Sequence, residues 1–228
     1  MRIITWNACR GQFDKKTPLL DHLAADIMVI QEIARPKQLM ANVLWFGENP
    51  NQGMAVIARN DYQVDLLPTV ADVPAYVIPI QVSGPHTFVL LAVCTMGEKP
   101  YPYVRAACRA IVLYDDLFRE HPVAMIGDFN SNAIWNKNHP KGINHAALLE
   151  RLEKHGLFSA YHAHYGEAHG EESRPTYYHQ WKRNQPFHID FCFLPNAWRN
   201  AIRDVDVGSW LAWEKCSDHR PLLVSLDL

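Results

Sequence analysis

The stretch AMIGDFNSN, residues 124–132, is an apolar run that stops at an aspartate and is followed by two asparagines. Its first residues predict a buried strand, because the apolar side chains continue without interruption up to Ile126. Side chains alternate along an extended chain, so Asp128 and Asn130 are expected to share one side while Phe129 takes the other. In α/β proteins the ends of strands are the usual place for chemistry. The stretch therefore predicts a functional site at the end of this strand.

The length and composition predict one folded domain over residues 1–228. The chain is 48% hydrophobic and 11% aromatic, which is ample for a large core, and it contains no internal repeat, low-complexity tract or linker. Its formal net charge is −2 and its pI is near 6.6, so no global positive field indicates binding to nucleic acid. Net charge therefore leaves the substrate class open.

The cysteines and the N-terminus indicate a cytoplasmic protein. The five cysteines are widely spaced, include no C-x-x-C pair, and are expected to be reduced thiols packed as small hydrophobic side chains. No apolar segment is long enough for a signal peptide or a membrane span. We expect no membrane association, and nothing in the sequence indicates an obligate protein partner.

Hydrophobic periodicity and turn signals predict alternating strands and helices. A strand is expected before Asp128, and a long polar surface loop is expected over residues 159–188, with a short strand near 176–179. Asn144 is a candidate N-cap for the helix that follows it. The other expected strands cover residues 2–6, 26–31, 53–58, 76–82, 88–94, 188–194 and 221–226, and the expected helices cover 19–25, 104–119 and 145–155.

Polar residues recur at the ends of these strands. They are Asn7, Glu32, Asp128 with Asn130, Asp190, and Asp218 with His219. A single Asp or Asn at such a place is explained by turn formation or helix capping, but recurrence at five strand ends weakens that explanation. Buried carboxylates without a partner are costly, so together they imply a metal ion, a cationic partner or access to solvent.

The motifs at these positions occur in the order found in the exonuclease-endonuclease-phosphatase superfamily, which the chain resembles over essentially its whole length. That superfamily includes pancreatic-type DNase, exonuclease III-type abasic-site endonucleases, sphingomyelinases and inositol polyphosphate 5-phosphatases. The resemblance implies an α/β (α+β) fold, a four-layer αββα sandwich of two packed, mixed, largely antiparallel sheets, with metal-assisted cleavage of phosphoesters at one rim. The motifs are TWN at 5–7, QE at 31–32, GDFN at 127–130, HIDF at 188–191 and SDH at 217–219.

The resemblance also implies roles for the residues of these motifs. Glu32 is expected to be the principal metal ligand, with Asn7 and, through water, Asp218. Carboxylate and amide oxygens suit Mg²⁺, or alternatively Mn²⁺. Asp128 is expected to orient or deprotonate the attacking water, and Asn130 to donate a hydrogen bond to water or phosphate. His219, held by Asp190, is expected to stabilise the negative charge of the transition state.

Two positions depart from the family pattern. Cys9 stands where abasic-site endonucleases of this superfamily carry a second aspartate, and Cys94 is the nearest match to a phosphate-contacting His or Tyr. Abasic-site specificity is therefore left open, and phosphate contacts are sought elsewhere. Tyr101, Tyr103 and Arg105, between a strand and a helix, are candidates, although an arginine there is also explained as a solvated charge.

The segment RPTYYHQWKR, residues 174–183, mixes aromatic and basic side chains, a composition that suits stacking on bases and neutralising phosphates. The competing interpretation is an edge strand with a charged turn. Within the segment, Trp181 is a candidate substrate contact, and Thr176 resembles the family's strand residue near the phosphate. Upstream, His162-x-His164 with His169 raises the idea of a soft-metal site, but the spacing favours a polar loop.

Three functions are compatible with the sequence. The favoured one is a divalent-metal-dependent phosphodiesterase acting on nucleic acid, either an endonuclease or an exonuclease. The first alternative is a small-molecule or lipid phosphoesterase of the same superfamily. The second is a catalytically silent binding module, which the retained acidic and histidine residues disfavour. DNA versus RNA and endo versus exo cleavage stay open.

Overall fold

The chain is described from a computed structural model that covers residues 1–38, 40–97, 99 and 102–228. Short 3-10 helices occur at Thr17–Leu23, Ala133–Asn138, His179–Trp181 and Asn196–Ala201. The α-helices are α1 Phe13–Lys16, α2 Val104–Leu113, α3 Asp115–Glu120, α4 His145–Lys154, α5 Ala160–Tyr165 and α6 Trp210–Trp213. The strands are β1 Arg2–Asn7, β2 Ile27–Ile33, β3 Val43–Asn49, β4 Gln52–Ala58, β5 Gln63–Leu66, β6 Val77–Ser83, β7 Phe88–Cys94, β8 Val123–Asp128, β9 Leu157–Ser159, β10 Tyr177–Tyr178, β11 Pro186–Phe187, β12 Asp190–Pro195, β13 Ile202–Val207 and β14 Leu222–Leu226.

Two six-stranded sheets of similar topology form the centre of the molecule. The first has the order β13-β14-β1-β2-β4-β3 and the second β5-β6-β7-β8-β12-β9, while β10 and β11 form a small hairpin. Each large sheet contains a parallel pair, β1 with β2 and β7 with β8, and its other neighbours are antiparallel. The register places Asp128 beside both Cys94 and Asp190, so polar residues from three strands meet at one edge.

Three apolar clusters define the layers. One lies between the sheets and includes Val29 and Val56 of the first sheet with Leu90 and Ile126 of the second. Another joins the outer face of the second sheet to α2 and α4, and a third joins the outer face of the first sheet to α1, the following 3-10 helix and α6. The layer order helix, sheet, sheet, helix is the predicted αββα sandwich.

Several predicted boundaries were wrong. The single helix expected over 104–119 is two helices, α2 and α3, because the chain turns at Tyr114, whose φ is −98° and ψ 20°. The helix expected over 19–25 is a 3-10 helix that runs over Thr17–Leu23. In contrast, strand 88–94 was predicted to the residue, and Asn144 caps α4 by accepting a hydrogen bond from the Ala147 N–H.

Residues 159–188 are more ordered than a loop. They contain α5 and the β10–β11 hairpin. Helix α5 has the sequence AYHAHY, which is too short and too rich in histidine to show the periodicity of an amphipathic helix. Tyr161 is nevertheless fully buried and anchors the helix, which ends at Gly166 with a left-handed φ of 70°.

Candidate active site

Asp128 is the last residue of β8, and both of its carboxylate oxygens are held. Oδ1 accepts a hydrogen bond from the backbone N–H of Asn130 at 2.8 Å, and Oδ2 accepts one from the side-chain amide of Asn7 at 3.0 Å. The preceding Gly127 has φ +148°, and an added Cβ would lie 1.9 Å from the Val93 carbonyl oxygen. Only glycine allows β8 to pass β7 this closely, which explains the GD pair.

Asn130 supports this arrangement from the loop that follows. It adopts a left-handed φ of 45°, and its side-chain amide donates to the Thr95 carbonyl oxygen at 2.9 Å. This bond ties the loop after β8 to the end of β7. The observed contacts therefore suit a residue that positions Asp128, and one of its amide hydrogens is already used within the protein.

Glu32 lies at the same edge of the sheets as Asp128, which we call the rim, because β2 contains a bulge. The pairing of β2 with β4 shifts register between Ile30 and Ile33, and Glu32 has φ 50°. Its Oε1 accepts from Asn7 Nδ2 at 3.2 Å, and its Oε2 accepts from Gln52 Nε2 at 3.1 Å. The prediction that the strand stops before Glu32 was wrong, because the extra residue of a bulge redirects a side chain without ending the strand.

His219 and Asp190 form a buried pair next to Asp128. His219 Nδ1 lies 2.9 Å from Asp190 Oδ2, and its Nε2 lies 4.0 Å from Asp128 Oδ2. The backbone N–H of His219 donates to Ser217 Oγ at 2.9 Å, and the Ser217 hydroxyl donates to the Asn7 carbonyl oxygen at 2.7 Å. The SDH motif is thereby fastened to the end of β1.

Thr176 positions Asp190 through hydrogen bonds to the backbone. It is fully buried, and its hydroxyl oxygen accepts hydrogen bonds from the backbone N–H groups of Ile189 and Asp190, both at 3.1 Å. Because the side chain is enclosed and bonded to the backbone, the position suits support of Asp190 rather than the substrate contact expected from the sequence.

Burial and neighbouring charges shift the pKa values of Asp128 and His219. Burial, followed by the charge of Asp190, raises the pKa of Asp128 above its usual range. Burial alone would lower the pKa of His219, but Asp190, Asp128 and Asp218 outweigh it and raise that pKa to about 9. This shift favours the imidazolium form of His219, which lies between Asp190 and Asp128.

Asp218 lies on the rim beside Cys9 and Lys16. Burial, followed by a side-chain hydrogen bond with Asp218, raises the pKa of the Cys9 thiol to about 12. The Lys16 ammonium donates to the carbonyl oxygens of Ala8, at 2.9 Å, and of Cys216. Cys9, which departs from the expected family pattern, thus places a thiol rather than a carboxylate beside Asp218, with a lysine nearby.

The residues of the rim fit a divalent cation. Glu32 and Asp128 both accept hydrogen bonds from the neutral amide of Asn7, and His219 is the cationic group beside the two buried aspartates, Asp128 and Asp190. Asp190 Oδ1 is buried without a hydrogen-bond partner among the described residues. Ligating atoms of Asp128, Asp190 and His219 also lie within 4.8 Å of one another. The Asn7 oxygen is less available, because it accepts from the Cys9 N–H at 2.8 Å.

Arg220 stabilises the backbone of the SDH motif. It is fully buried, and its guanidinium carbon lies 4.7 Å from the ring centroids of both Tyr178 and Trp210. One guanidinium nitrogen donates to the carbonyl oxygens of Ser217, at 2.7 Å, and His219, at 2.9 Å. The cation therefore fixes the backbone that carries Asp218 and His219.

The remaining sequence candidates lie around this centre rather than in it. Tyr103 is exposed at the start of α2, and its backbone N–H donates to the Met96 carbonyl oxygen; Arg105 is half-buried on the first turn. Trp181 is exposed at the tip of the β10–β11 hairpin with φ 60°. Tyr101 lies outside the described residues. The cysteines are free thiols, as expected, and Cys94 is buried.

Sequence reasoning missed three residues near the centre. Gln52 holds Glu32, Lys16 lies beside the SDH motif, and the Tyr177 ring lies 4.5 Å from the His219 ring by centroids. Tyr177 belongs to the aromatic segment singled out above, so its type was a usable signal. Gln52 and Lys16 carry no such signal, because their importance depends on pairings between distant segments.

Solved structures share this architecture. A 3′ phosphatase named NExo from Neisseria, bound to a product DNA hairpin, is 21% identical with a TM-score of 0.74, and 100% of each chain is covered. The 3′-5′ exonuclease NExo from Neisseria meningitidis is 22% identical, with a TM-score of 0.73 and the same coverage. An AP endonuclease from Archaeoglobus fulgidus is 17% identical, with a TM-score of 0.70, again over 100% of each chain. These likenesses confirm the predicted fold.

Other comparisons complete this result. A search of curated proteins finds no match to the sequence. Within the described part of the chain, no helix has the length and apolar character needed to cross a membrane. The model of the Endonuclease/Exonuclease/phosphatase family matches residues 4–219. This match confirms the predicted class of reaction, hydrolysis of phosphoester bonds with the help of a divalent metal. The chain belongs to the Endonuclease/Exonuclease/phosphatase family.

Proposed function

We propose that the protein is a Mg²⁺-dependent nuclease that hydrolyses phosphodiester bonds in DNA. The observation that carries this proposal is the meeting of Asp128, Asp190 and His219 within 4.8 Å at the rim where Asn7 joins Asp128 to Glu32. A base, a cationic hydrogen-bond donor and a set of hard oxygen ligands are the parts that this reaction requires.

Asp128 acts on the attacking water in this proposal. Hydrogen bonds from Asn7 and Asn130 fix its carboxylate, and its raised pKa makes it a stronger base than an exposed aspartate. It accepts one proton from the water as the oxygen attacks phosphorus, while the bond from phosphorus to the leaving sugar oxygen breaks and that oxygen takes up a proton from solvent. Asn130 holds the loop in place during this step.

His219 stabilises the phosphate in this proposal. Asp190 accepts the hydrogen bond from Nδ1, so the Nε2–H of the imidazolium is available to a non-bridging phosphate oxygen. Asp190 is a positioning residue, because it acts through the imidazole. Negative charge that develops on the phosphoryl group is thereby met by a fixed positive group.

Glu32 and Asp218, with Asn7, would hold the metal ion. Their oxygens are hard ligands of the kind that Mg²⁺ prefers, and Mn²⁺ is an accepted substitute for such a set. When bound, the ion supplies Lewis-acid stabilisation of the phosphoryl oxygens. Asn7 can offer its oxygen only if its hydrogen bond with the Cys9 N–H is given up.

The surface around the rim favours a nucleic acid over a small phosphoester. Trp181 is exposed on the β10–β11 hairpin, and Lys182 and Arg183 follow it on the exposed surface. An aromatic ring beside two cations suits stacking on a base and neutralising phosphates. The hairpin is joined to the site, because Tyr177 forms a bridge with His219. The solved structure of NExo bound to a DNA hairpin supports DNA as the substrate.

Cleavage of a labelled panel tests the proposal. The panel contains duplex DNA, single-stranded DNA, 3′-phosphorylated DNA, an abasic-site duplex, RNA and an aryl phosphodiester, each with Mg²⁺, Mn²⁺ or chelator. We expect metal-dependent cleavage of a DNA substrate that Asp128→Asn abolishes and Asp204→Asn, on the exposed strand β13, leaves intact. Turnover restricted to the aryl diester, or DNA cleavage that survives chelation, would contradict the proposal.

A further inference from the structure

A cluster of histidines lies behind the loop that carries Asn130. His145 at the start of α4, His162 on α5, His169, and His188 before β12 surround the ring of Phe191, with ring centroids 5.1 to 6.2 Å from it. Glu172 lies among them. We call these four histidines and Glu172 the histidine cluster. His164, two residues after His162, is not part of it, because it points toward Asp204 at 3.8 Å.

Three of these histidines have one ring nitrogen held by the protein. His188 Nδ1 donates to the Arg174 carbonyl oxygen at 2.8 Å, His145 Nδ1 lies 3.1 Å from Ser131 Oγ, and His162 Nδ1 lies 2.7 Å from Ser159 Oγ. The bond to a carbonyl oxygen requires a proton on Nδ1, so the neutral His188 ring has its lone pair on Nε2. Such a partner on one nitrogen is the usual feature of a histidine that binds a metal through the other.

Three ring nitrogens of the histidine cluster are buried and unpaired. His145 Nε2, His169 Nδ1 and His188 Nε2 have no hydrogen-bond partner among the residues that the structure describes. His145 is 1% exposed and His188 is 2% exposed, so water does not readily satisfy these nitrogens. Buried polar atoms are normally paired, and three unpaired imidazole nitrogens in one cluster point to a missing electrophilic partner.

We propose that His162, His169 and Glu172 bind a transition-metal ion of the Zn²⁺ class. Their ligating atoms lie within 4.8 Å of one another, and His162 Nε2 is 3.1 Å from Glu172 Oε1. That separation is close to the roughly 3.3 Å between two ligands of a tetrahedral Zn²⁺ ion bonded at about 2.0 Å. Two imidazoles and a carboxylate are a known ligand set for Zn²⁺, whereas the all-oxygen groups of the catalytic rim suit Mg²⁺.

The His145 and His169 rings lie 5.5 Å apart by centroids, so His145 packs beside one of the three proposed ligands. The His162 and His169 rings stack with centroids 3.5 Å apart. Metal binding requires the His169 ring to turn out of this stack. A cleft of about 390 Å³, lined in part by Leu157, Phe158, His162 and His169, offers an entry path from solvent.

The proposed site is joined to the catalytic loop. The Asn132 side-chain amide donates to both oxygens of Glu172 at 3.1 Å and to the His188 carbonyl oxygen at 2.8 Å. Ser131, in the same loop, forms a hydrogen bond through its Oγ with His145 Nδ1 at 3.1 Å. A metal held by Glu172 and the histidines would therefore stabilise the loop that carries Asn130, at a distance from the reacting atoms.

Titration of the metal-free protein, prepared without a polyhistidine tag, with Co²⁺ and Zn²⁺ in excess Mg²⁺ tests this proposal. We expect one Co²⁺ per chain with the visible absorption of a tetrahedral site, displaced by Zn²⁺, and a higher melting temperature in Zn²⁺. His169→Gln and Glu172→Gln should weaken binding by more than about 100-fold, because even the outer partners of metal ligands contribute roughly 10- to 100-fold. Two variants are used, so a folding failure in one leaves the other decisive.

The controls separate this site from its surroundings. His164→Gln removes a neighbouring imidazole of α5 and should bind as the wild type does. Glu32→Gln alters the catalytic rim and should also keep the tetrahedral Co²⁺ spectrum. Absence of binding in the wild type, equal binding in His169→Gln and Glu172→Gln, or loss of the spectrum in Glu32→Gln would overturn the proposal. None of these readouts depends on catalytic activity.

Discussion

At the scale of single residues, the centre of the site is a carboxylate flanked by an imidazolium. Asp128 and Asp190 are directly paired neighbours on β8 and β12, and His219 contacts Asp190 at 2.9 Å. Two buried carboxylates this close would resist ionisation without a cation. His219 supplies that charge inside the protein, so removing Asp190 changes the state of the imidazole as well as its orientation.

Asp190→Asn should lower kcat by about 100- to 10,000-fold with a smaller change in KM, because the residue acts through His219. Burial lowers the pKa of His219, but Asp190, together with Asp128 and Asp218, outweighs it and raises that pKa to about 9, so the variant should have a lower imidazole pKa and less imidazolium at pH 8. Single-turnover kinetics and NMR titration of the imidazole measure both effects. Asp204→Asn, which alters an exposed aspartate near His164, is the matched control. An unchanged imidazole pKa in Asp190→Asn would refute this role.

At the scale of elements, the end of β8 depends on its close approach to β7. Gly127 has a left-handed φ and no space for a side chain, and Asp128 follows it directly. Asp128 can follow in this position because glycine alone tolerates both this φ and the close contact with Val93. Gly127 thus determines both the stability of the β7–β8 pair and the position of the catalytic carboxylate.

Gly127→Ala should therefore reduce the free energy of unfolding by about 3 kcal/mol, since it combines overpacking with an unfavourable φ. Gly142→Ala is the control, because Gly142 also has a positive φ, of 86°, but has no atom within 4 Å of the added Cβ. Its cost should be only about 1 kcal/mol, from the backbone alone. Urea denaturation measures both, and equal losses would show that the contact with Val93 is unimportant.

Sequence periodicity predicted the buried strands well and the partly exposed strands poorly. β7 consists of seven buried residues, so its apolar run marks both ends. β5 has only one buried residue in four, and β13 carries charged side chains, so neither was predicted. The break at Tyr114 could not be predicted, because the apolar pattern continues across it and only packing against the second sheet decides where the chain turns.

At the scale of the whole molecule, the site exists because two sheets of similar topology pack so that their parallel pairs end at one rim. β1 contributes Asn7 and β8 contributes Asp128, and a 3.0 Å hydrogen bond joins the two sheets at this point. The motifs around Asn7, Glu32, Asp128, Asp190 and His219 were all found in the sequence. Their mutual contacts were not, because those contacts depend on register and on the bulge in β2.

Acid should destabilise the metal-free protein through the histidine cluster. Burial lowers the pKa of His145 to about 4 and that of His169 to about 3. Burial opposes the shift of Glu172, but hydrogen bonds from His162, Gly170 and Asn132 lower its pKa to about 2. Below pH 6.5 the unfolded chain binds protons on these histidines that the folded chain does not, and below pH 4.5 the same holds for Glu172.

The free energy of unfolding in chelator should therefore fall by at least about 2 kcal/mol between pH 6.5 and pH 4. Urea denaturation across this range measures the slope. His169→Gln removes one of the titrating groups and should flatten the slope, whereas His164→Gln, on the partly exposed side of α5, should not. A slope that is the same in His169→Gln and the wild type would show that this histidine is not buried in its neutral form.

The most direct test of the central claim is the Mg²⁺ dependence of DNA cleavage by the wild type and Glu32→Gln, with Glu171→Gln as the exposed control. If the rim formed by Asn7, Glu32, Asp128 and His219 is a metal-dependent phosphodiesterase site, chelation abolishes cleavage. In that case Glu32→Gln also raises the Mg²⁺ concentration for half-maximal rate by more than about 10-fold. Cleavage that persists in chelator, or a Mg²⁺ dependence identical in the wild type and Glu32→Gln, would contradict it.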